Sequence, residues 1–477
     1  MQKNSFLKTI RSILVYSGII SLLSLISQSC SYKATGIYSI LEYLKYIFRK
    51  KYICKAPYNS IYISGNGSVT TCCFNRTDVL GNIYETPLKD ILNNSKTKEL
   101  KDTIKQGIYP KGCEICKKHV ENKNKANSGI ITYEKFPVQK GFLSIIELEL
   151  SYKCNLRCLM CRLNEDNLFV NPAKTVNKKF NILKQITPYL EKVKLMRFYG
   201  GEPFFIDEYY SIWDTVINNN PDCRFIVQTN STIFNNRIKD LILKGRFNFS
   251  ISIDSLNKYT YESIRKGADF DKTMINLYKF HSISKKNKET ITISVCPMRI
   301  NWKEMPQLVE FCNKNKIFIF FNSVFSPWKM ALWNLSKTEL AEIYNILSVY
   351  KFHSFSSVSF INKVRWESFL NQLYQWNLEA QKRPSLTNQE KENWKTQIFN
   401  ALTNKFSKYK PEKYTFLLET EFKQKVFDLL NELLNYIHPS KILKKIEDSD
   451  AIEIYNTIRL KLNDTILEKL LADTLFN

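Results

Sequence analysis

Leu148-Glu149-Leu150-Ser151-Tyr152-Lys153-Cys154-Asn155-Leu156-Arg157-Cys158-Leu159-Met160-Cys161 sets three cysteines in a C-x3-C-x2-C spacing directly after a short apolar run. The run, Ile145–Leu150, reads as a β-strand, so the cysteines fall on the loop that leaves it. Three thiolates this close can hold three irons of a 4Fe–4S cluster and leave the fourth iron without a protein ligand. An open coordination position is what separates a reactive metal site from a structural one. Zinc is the alternative occupant. A structural zinc site wants four ligands, usually as two C-x2-C pairs, and no fourth Cys or His stands nearby; His119 is the closest histidine upstream. Soft thiolate sets favour zinc or iron–sulfur, and here the zinc set is incomplete.

Outward from this loop the sequence alternates between strand-like and helical stretches. Leu195–Tyr199, Phe225–Thr229, Phe249–Ile253, Thr292–Cys296 and Phe318–Asn322 are short, apolar or β-branched, and each gap is long enough for a helix. Strand–helix–strand alternation implies parallel pairing. With Ile145–Leu150 this makes six strand–helix units over 140–330, which suits an α/β fold of the partial (β/α)6 TIM-like barrel type. A doubly wound sheet is the alternative. In parallel barrels the chemistry sits at the C-terminal ends of the strands, and the unusual residues fall just there: Gly200-Gly201-Glu202-Pro203 after the second strand, Thr229-Asn230-Ser231 after the third, and Ser252-Ile253-Asp254 after the fourth.

These motifs together resemble the radical S-adenosylmethionine (SAM) superfamily, whose signature is this cysteine triad after the first barrel strand. The resemblance covers roughly 140–330. It implies that Cys154, Cys158 and Cys161 ligate a 4Fe–4S cluster whose open iron chelates SAM. The reduced cluster then splits SAM, and a 5′-deoxyadenosyl radical takes a hydrogen atom from substrate. It further implies that Gly200, Gly201 and Glu202 hold the SAM amino group, and that Asn230, Ser252 and Arg265 contact the rest of SAM. Glycines allow close backbone approach, and an Arg fork suits a carboxylate. Two departures stand out. Ser231 replaces the glycine of the family's Thr-Asn-Gly, and Met160 replaces an aromatic before the third cysteine.

A second cysteine group lies upstream. Cys54 is followed by Ser60–Ser64, the turn Gly65-Asn66-Gly67, Ser68–Thr71 and Cys72, which reads as a β-hairpin returning Cys72 to the start of its first strand. A helix over about Leu88–Gln106 then leads to Cys113 and Cys116. Four thiolates in one place resemble the auxiliary-cluster module called SPASM, in its shortened twitch form, and imply a second 4Fe–4S cluster for electron transfer. Cys73 beside Cys72 is an alternative ligand, and four cysteines are also a closed zinc set. In relatives this module follows the barrel; here it precedes it.

The remaining regions are less specific. Residues 1–53 carry eight basic side chains and one acidic. Their uncharged stretch Ser12–Tyr32 has serines at helical spacing, an amphipathic pattern that suits a packed helix or contact with an anionic membrane face. Residues 338–477 lack cysteine and read as helical, with Phe422, Val426, Leu429, Leu433 and Ile437 on one helix and Ile466 and Leu470 on another. The chain has 70 basic and 45 acidic residues, a net of +25 that would attract acidic peptides, yet no nucleic-acid-binding motif. Ligand thiolates point to a reducing, cytoplasmic setting, peripheral to the inner membrane face if residues 1–53 bind there. The expected domains are 1–53, an α+β cluster module at 54–125, the core at 140–330, and a helical region at 338–477. The implied reaction is hydrogen abstraction from a peptide or protein, with an electron donor such as flavodoxin or ferredoxin. A small alcohol or sugar-type substrate, or a non-catalytic zinc or iron–sulfur protein, are the competing readings. Asp254, Tyr199 and Glu149 would face the barrel mouth, but no acid or base is assignable from sequence.

Overall fold

The computed structural model describes residues 54–121, 129–139, 141–161, 181–324, 327–383, 386–407, 420–435 and 439–448. The expectations for 1–53 and for Ile437, Ile466 and Leu470 lie outside them. In chain order the strands are β1 (Ser60–Ser64), β2 (Ser68–Thr70), β3 (Gly81–Asn82), β4 (Ile145–Glu149), β5 (Arg157–Cys158), β6 (Leu195–Phe198), β7 (Arg224–Thr229), β8 (Arg246–Ser252), β9 (Arg265–Lys266), β10 (Ile291–Val295) and β11 (Phe318–Phe321).

Nine of them form one sheet in the order β11-β10-β8-β7-β6-β4-β1-β2-β3. From β4 to β11 the neighbours follow chain order and all pair in parallel. A doubly wound sheet would reverse its order at a switch point; the absence of a reversal makes this the partial TIM-like barrel. The crossover helices include Asp207–Asn219, Asn236–Lys244, Phe270–Lys286 and Met305–Asn315.

The strands alternate because each has a helix-facing and an inner side. Ile146, Leu148, Met196, Phe198, Phe225, Val227, Phe247, Phe249, Ile251 and Ile293 join the helices in the main core. Aromatic edges organise it, with Phe198 and Phe225 at 5.9 Å and Phe225 and Phe247 at 4.7 Å. The inner side carries the in-register partners Glu147 and Arg197, then Gln228, Ser250, Ser252 and Ser294. A closed barrel core is filled with branched apolar side chains; this inner face is mixed, since Ile145, Leu195, Ile226 and Phe320 share it by register.

The upstream hairpin does not stand apart. Strand β1 pairs in parallel with β4, Ser60 against Ile145 through Ser64 against Glu149. Ile61 and Ile63 enter the main core, and Tyr62 takes the inner side. The helix expected over Leu88–Gln106 is two, Leu88–Asn93 and Ser95–Lys105. Asn94 breaks it with extended backbone, and its side chain caps the second helix by accepting from Thr97 N–H. Downstream, Lys337–Ser348, Ser357–Ala380, Asn388–Ser407, Thr420–Leu433 and Pro439–Asp448 are helical. The long Ser357–Ala380 helix covers β11 through Phe321 and Phe369, stacked at 4.8 Å.

Candidate active site

The two cysteine groups occupy opposite ends of the same strands. Cys154, Cys158 and Cys161 follow the C-terminal end of β4. Cys54 precedes β1, and Cys72 lies beyond the end of β2, which runs antiparallel to β1 with Thr70 opposite Tyr62. Cys72 therefore sits past the N-terminal edge, in a small core with Ala56, Tyr133, Ile145 and Leu195. Five residues of β4 at about 3.3 Å each put roughly 15 Å of sheet between the groups.

At the C-terminal end, the Gly-Gly-Glu turn is stapled to the cysteine loop. Gly201 N–H donates to Ser151 O at 3.1 Å and Glu202 N–H to Lys153 O at 2.9 Å. A Cβ on Gly200, where φ is +117°, would lie 2.2 Å from Ser151 O, and one on Gly201 would lie 2.0 Å from Lys153 O. These glycines thus admit the backbone of the cysteine loop itself, a closer reason for their presence than approach to a ligand.

Glu202 is fully buried. Its carboxylate accepts from Thr229 Oγ1 at 2.7 Å, Asn230 N–H at 2.7 Å and Phe204 N–H at 3.2 Å. Burial pushes its pKa up to about 7, against the pull of these donors. It locks the turns after β6 and β7 together. Asn230 in turn points Nδ2 toward Cys154 Sγ at 3.8 Å and Asn155 Oδ1 at 3.0 Å. Ser252 ends β8 on the inner side, across from Ser294.

Ser231 keeps the backbone of the glycine it replaces, with φ at +56°. The left-handed region disfavours a side chain by roughly 1–2 kcal/mol, and the buried Ser231 hydroxyl has no hydrogen-bond partner. Ser231→Gly is expected to raise the melting temperature of the cluster-free protein by a few degrees, about 1 kcal/mol after the added freedom of the unfolded glycine. Calorimetry would show it; an unchanged or lower midpoint would mean the turn carries no strain.

Arg265 is drawn opposite Cys158 by a two-residue antiparallel ladder, β5 with β9. Its Nη1 is 3.7 Å from Cys158 Sγ. Its Nε is 2.8 Å from Asp254 Oδ2, an ion pair with both side chains buried. Asp254, which the sequence placed at the mouth, is thus a buried counter-ion that also accepts from Cys296 N–H at 2.8 Å. Burial raises its pKa and Arg265 opposes the rise. Met160 packs against the main core.

At the N-terminal end the thiols of Cys54, Cys72, Cys113 and Cys116 are electrostatic neighbours. Burial pushes the thiols of Cys54, Cys72 and Cys113 up, Cys113 to about 12, with nearby thiols adding to the rise. Among the described residues, no three His, Cys, Asp or Glu side chains converge closely enough to grip a single metal ion. Asn75 ties two of the thiols: its backbone N–H lies 3.4 Å from Cys72 Sγ and its Nδ2 3.5 Å from Cys113 Sγ. Cys73 faces the other way, into the barrel, 3.9 Å from both Tyr133 and Tyr199 hydroxyls. The structure therefore groups Cys72, not Cys73, with Cys54 and Cys113.

Between the two ends the inner face carries two carboxylates whose partners sequence reading did not connect. Glu147 accepts from Tyr133, from Tyr199 at 2.9 Å and from Arg197 at 3.5 Å. Glu149 accepts from Tyr62 and pairs with Arg76 at 2.8 Å.

Residues 148–312 match the family model described as the Radical SAM superfamily, and residues 54–118 match the SPASM model, described as an iron–sulfur cluster-binding domain. This chain carries a radical SAM domain. Its upstream hairpin and C-x2-C belong to a SPASM-type module, so the chain's cofactors are a SAM-binding 4Fe–4S cluster, an auxiliary iron–sulfur cluster and SAM. Similar proteins include a GTP 3′,8-cyclase of Clostridium perfringens (strain SM101 / Type A), 26% identical over 184 residues that cover 38% of this chain and 54% of that protein. A probable GTP 3′,8-cyclase of Methanocaldococcus jannaschii is 26% identical over 170 residues, 35% of this chain and 54% of that protein. The chain thus spans about half the length of these relatives. The crystal structure of Streptococcus suis SuiB is 16% identical with a TM-score of 0.33, covering 55% of this chain and 60% of that one.

The donor sets suit their cofactors. Each is a group of thiols with buried polar donors aimed at sulfur, namely Asn230 and Arg265 at the triad and Asn75 at the other. Such donors stabilise thiolate sulfur when a cationic metal group binds. Among the described residues, no helix is long and apolar enough to cross a membrane.

Proposed function

We propose that this chain reductively cleaves SAM at a cluster held by Cys154, Cys158 and Cys161, abstracts hydrogen from a substrate bound along the inner face of the barrel, and completes the reaction with an auxiliary 4Fe–4S cluster held by Cys54, Cys72, Cys113 and Cys116. The observation that carries this reading is the opposition of the two thiol groups at the two ends of the inner face of one parallel sheet. When bound, the first cluster and SAM supply a 5′-deoxyadenosyl radical. The protein's own part is geometry and exclusion of water. Gly200, Gly201 and Glu202 fix the turn beside the cysteine loop. Asn230 and Ser252 border the space where SAM would lie. Segment 54–125 acts with the 140–330 core as one redox unit, fed by a flavodoxin- or ferredoxin-type donor.

For the substrate, a peptide or protein is the first reading. The net charge of +25 favours an acidic partner. A small polar metabolite is the second, favoured by the charged inner face at Glu147 and Arg197 and by the relatives' names.

Anaerobic reconstitution tests the proposal. The wild-type protein is expected to bind about eight irons per chain, from two four-iron clusters, and to release 5′-deoxyadenosine on reduction with SAM. Zinc without iron, or no SAM cleavage, would overturn it. Cys113→Ala is expected to keep about four irons and SAM cleavage. If that variant also turns over substrate normally, the auxiliary role is wrong.

A further inference from the structure

Two of the three nitrogens of the Arg265 guanidinium have partners within the protein. The β5–β9 ladder sets it across from Cys158, and Leu159 N–H to Ile264 O at 2.8 Å extends that pairing. One edge lies on Asp254, which is itself fixed by Cys296 N–H at 2.8 Å and by Asn301 Nδ2 on its carbonyl at 2.9 Å. The other edge, Nη1, points at Cys158 Sγ at 3.7 Å. Arg265 is 6% exposed and Asp254 fully buried, so water screens neither charge. The resemblance assigns this arginine to SAM; the geometry also aims it at the sulfur of Cys158.

We infer that Arg265 is a positioning residue that tunes the SAM-binding cluster, its buried N–H···S contact to Cys158 raising the reduction potential and Asp254 limiting that rise. The inference rests on the proposed ligation by Cys158. Reduction adds negative charge to the cluster and its sulfurs. A fixed, desolvated cation with an N–H on one sulfur stabilises the reduced state more than the oxidised one. Asp254 holds the guanidinium in place and cancels part of its field. The two residues therefore act in opposite directions on the same quantity, which a purely structural pair would not.

The test is a potentiometric titration of the reconstituted full-length protein, following the paramagnetic signal that changes on adding SAM, with SAM affinity measured in parallel. Arg265→Gln is expected to lower the midpoint. At the potential where the wild type is half reduced, the ratio of reduced to oxidised cluster should fall about tenfold, which is 59 mV for one electron. Asp254→Asn should move the midpoint up. Arg265→Lys, which keeps charge but loses the fork, should fall between wild type and Arg265→Gln. A fully loaded Arg265→Gln protein with the wild-type midpoint overturns the inference, and weaker SAM binding at that unchanged midpoint reassigns Arg265 to SAM. Failure of both Arg265 variants to load iron also overturns it, making the residue one for folding. If the wild type itself takes up no iron, the proposed function fails first.

Discussion

Gly201→Ala is expected to cut 5′-deoxyadenosine release to background and to lower iron from about eight to about four per chain, the same outcome as removing a ligand by Cys158→Ala. The added Cβ would stand 2.0 Å from Lys153 O, 2.4 Å from Lys153 C and 2.7 Å from Tyr152 C. All three are backbone atoms, so no side chain can swing aside. The cysteine loop must move, and Cys154 is the next residue. Two main-chain hydrogen bonds tie the segments, Gly201 N–H to Ser151 O and Glu202 N–H to Lys153 O; moving one loop disrupts both. Overpacking of this kind costs about 1–3 kcal/mol in stability, which a chain of this size survives. The chemistry does not survive it, because three sulfurs must meet one cluster at fixed spacing. The four irons expected to remain belong to the thiols at the other end of the strands. Iron analysis with a SAM-cleavage assay checks this. A Gly201→Ala protein with full iron and normal cleavage would show that the loop accommodates the methyl group, and the stapled-turn account would be wrong.

Much of the barrel was readable because its signals are local. Each expected strand from Ile145 to Asn322 lies within three residues of an observed one. Apolar residues facing the helices recur every second position, and turns with chemical residues follow. The placement of the cysteine triad after β4 was readable because its spacing lies within one loop. Contacts across long sequence gaps were not. Tyr62 and Ser64 alternate with Ile61 and Ile63 in the hairpin, but nothing in that pattern names β4, over eighty residues on, as the parallel neighbour. Glu147 reads as one polar residue in a strand; its donors Tyr133 and Tyr199 come from a separate helix and from the turn after β6. Asp254 looked like a mouth residue because sequence shows residue types but not the pairing with Arg265 that neutralises it. The left-handed backbone at Ser231 left a trace only as the departure from glycine.

Glu147→Gln is expected to destabilise the protein by about 3 kcal/mol, and Arg197→Met added to it should restore much of that loss. Glu147 has no exposed surface. Its two oxygens take up the Tyr133 and Tyr199 hydroxyls and the Arg197 guanidinium. Burial holds both phenols well above their usual range, so they stay donors. The amide conserves volume but supplies one acceptor atom in place of two and no charge. One tyrosine hydroxyl is left unmade, and Arg197 keeps its charge among protein atoms without the carboxylate. Breaking a fully buried pair costs about 3–5 kcal/mol. Arg197 is 20% exposed, and its contact is long at 3.5 Å, so the lower part of that range applies. Removing the orphaned cation should recover stability, since the penalty lies in the unpaired charge and not in the absence of a bond. Thermal unfolding of the single and double variants checks this; a Glu147→Gln protein that melts with the wild type would mean water already serves these groups. The double variant also separates fold from function. Glu147 and Arg197 sit mid-strand between the two thiol groups, where the proposed substrate would lie. If they only support the fold, the repaired protein should cleave SAM and turn over substrate normally. If they also contact substrate, stability and SAM cleavage return while turnover stays lost.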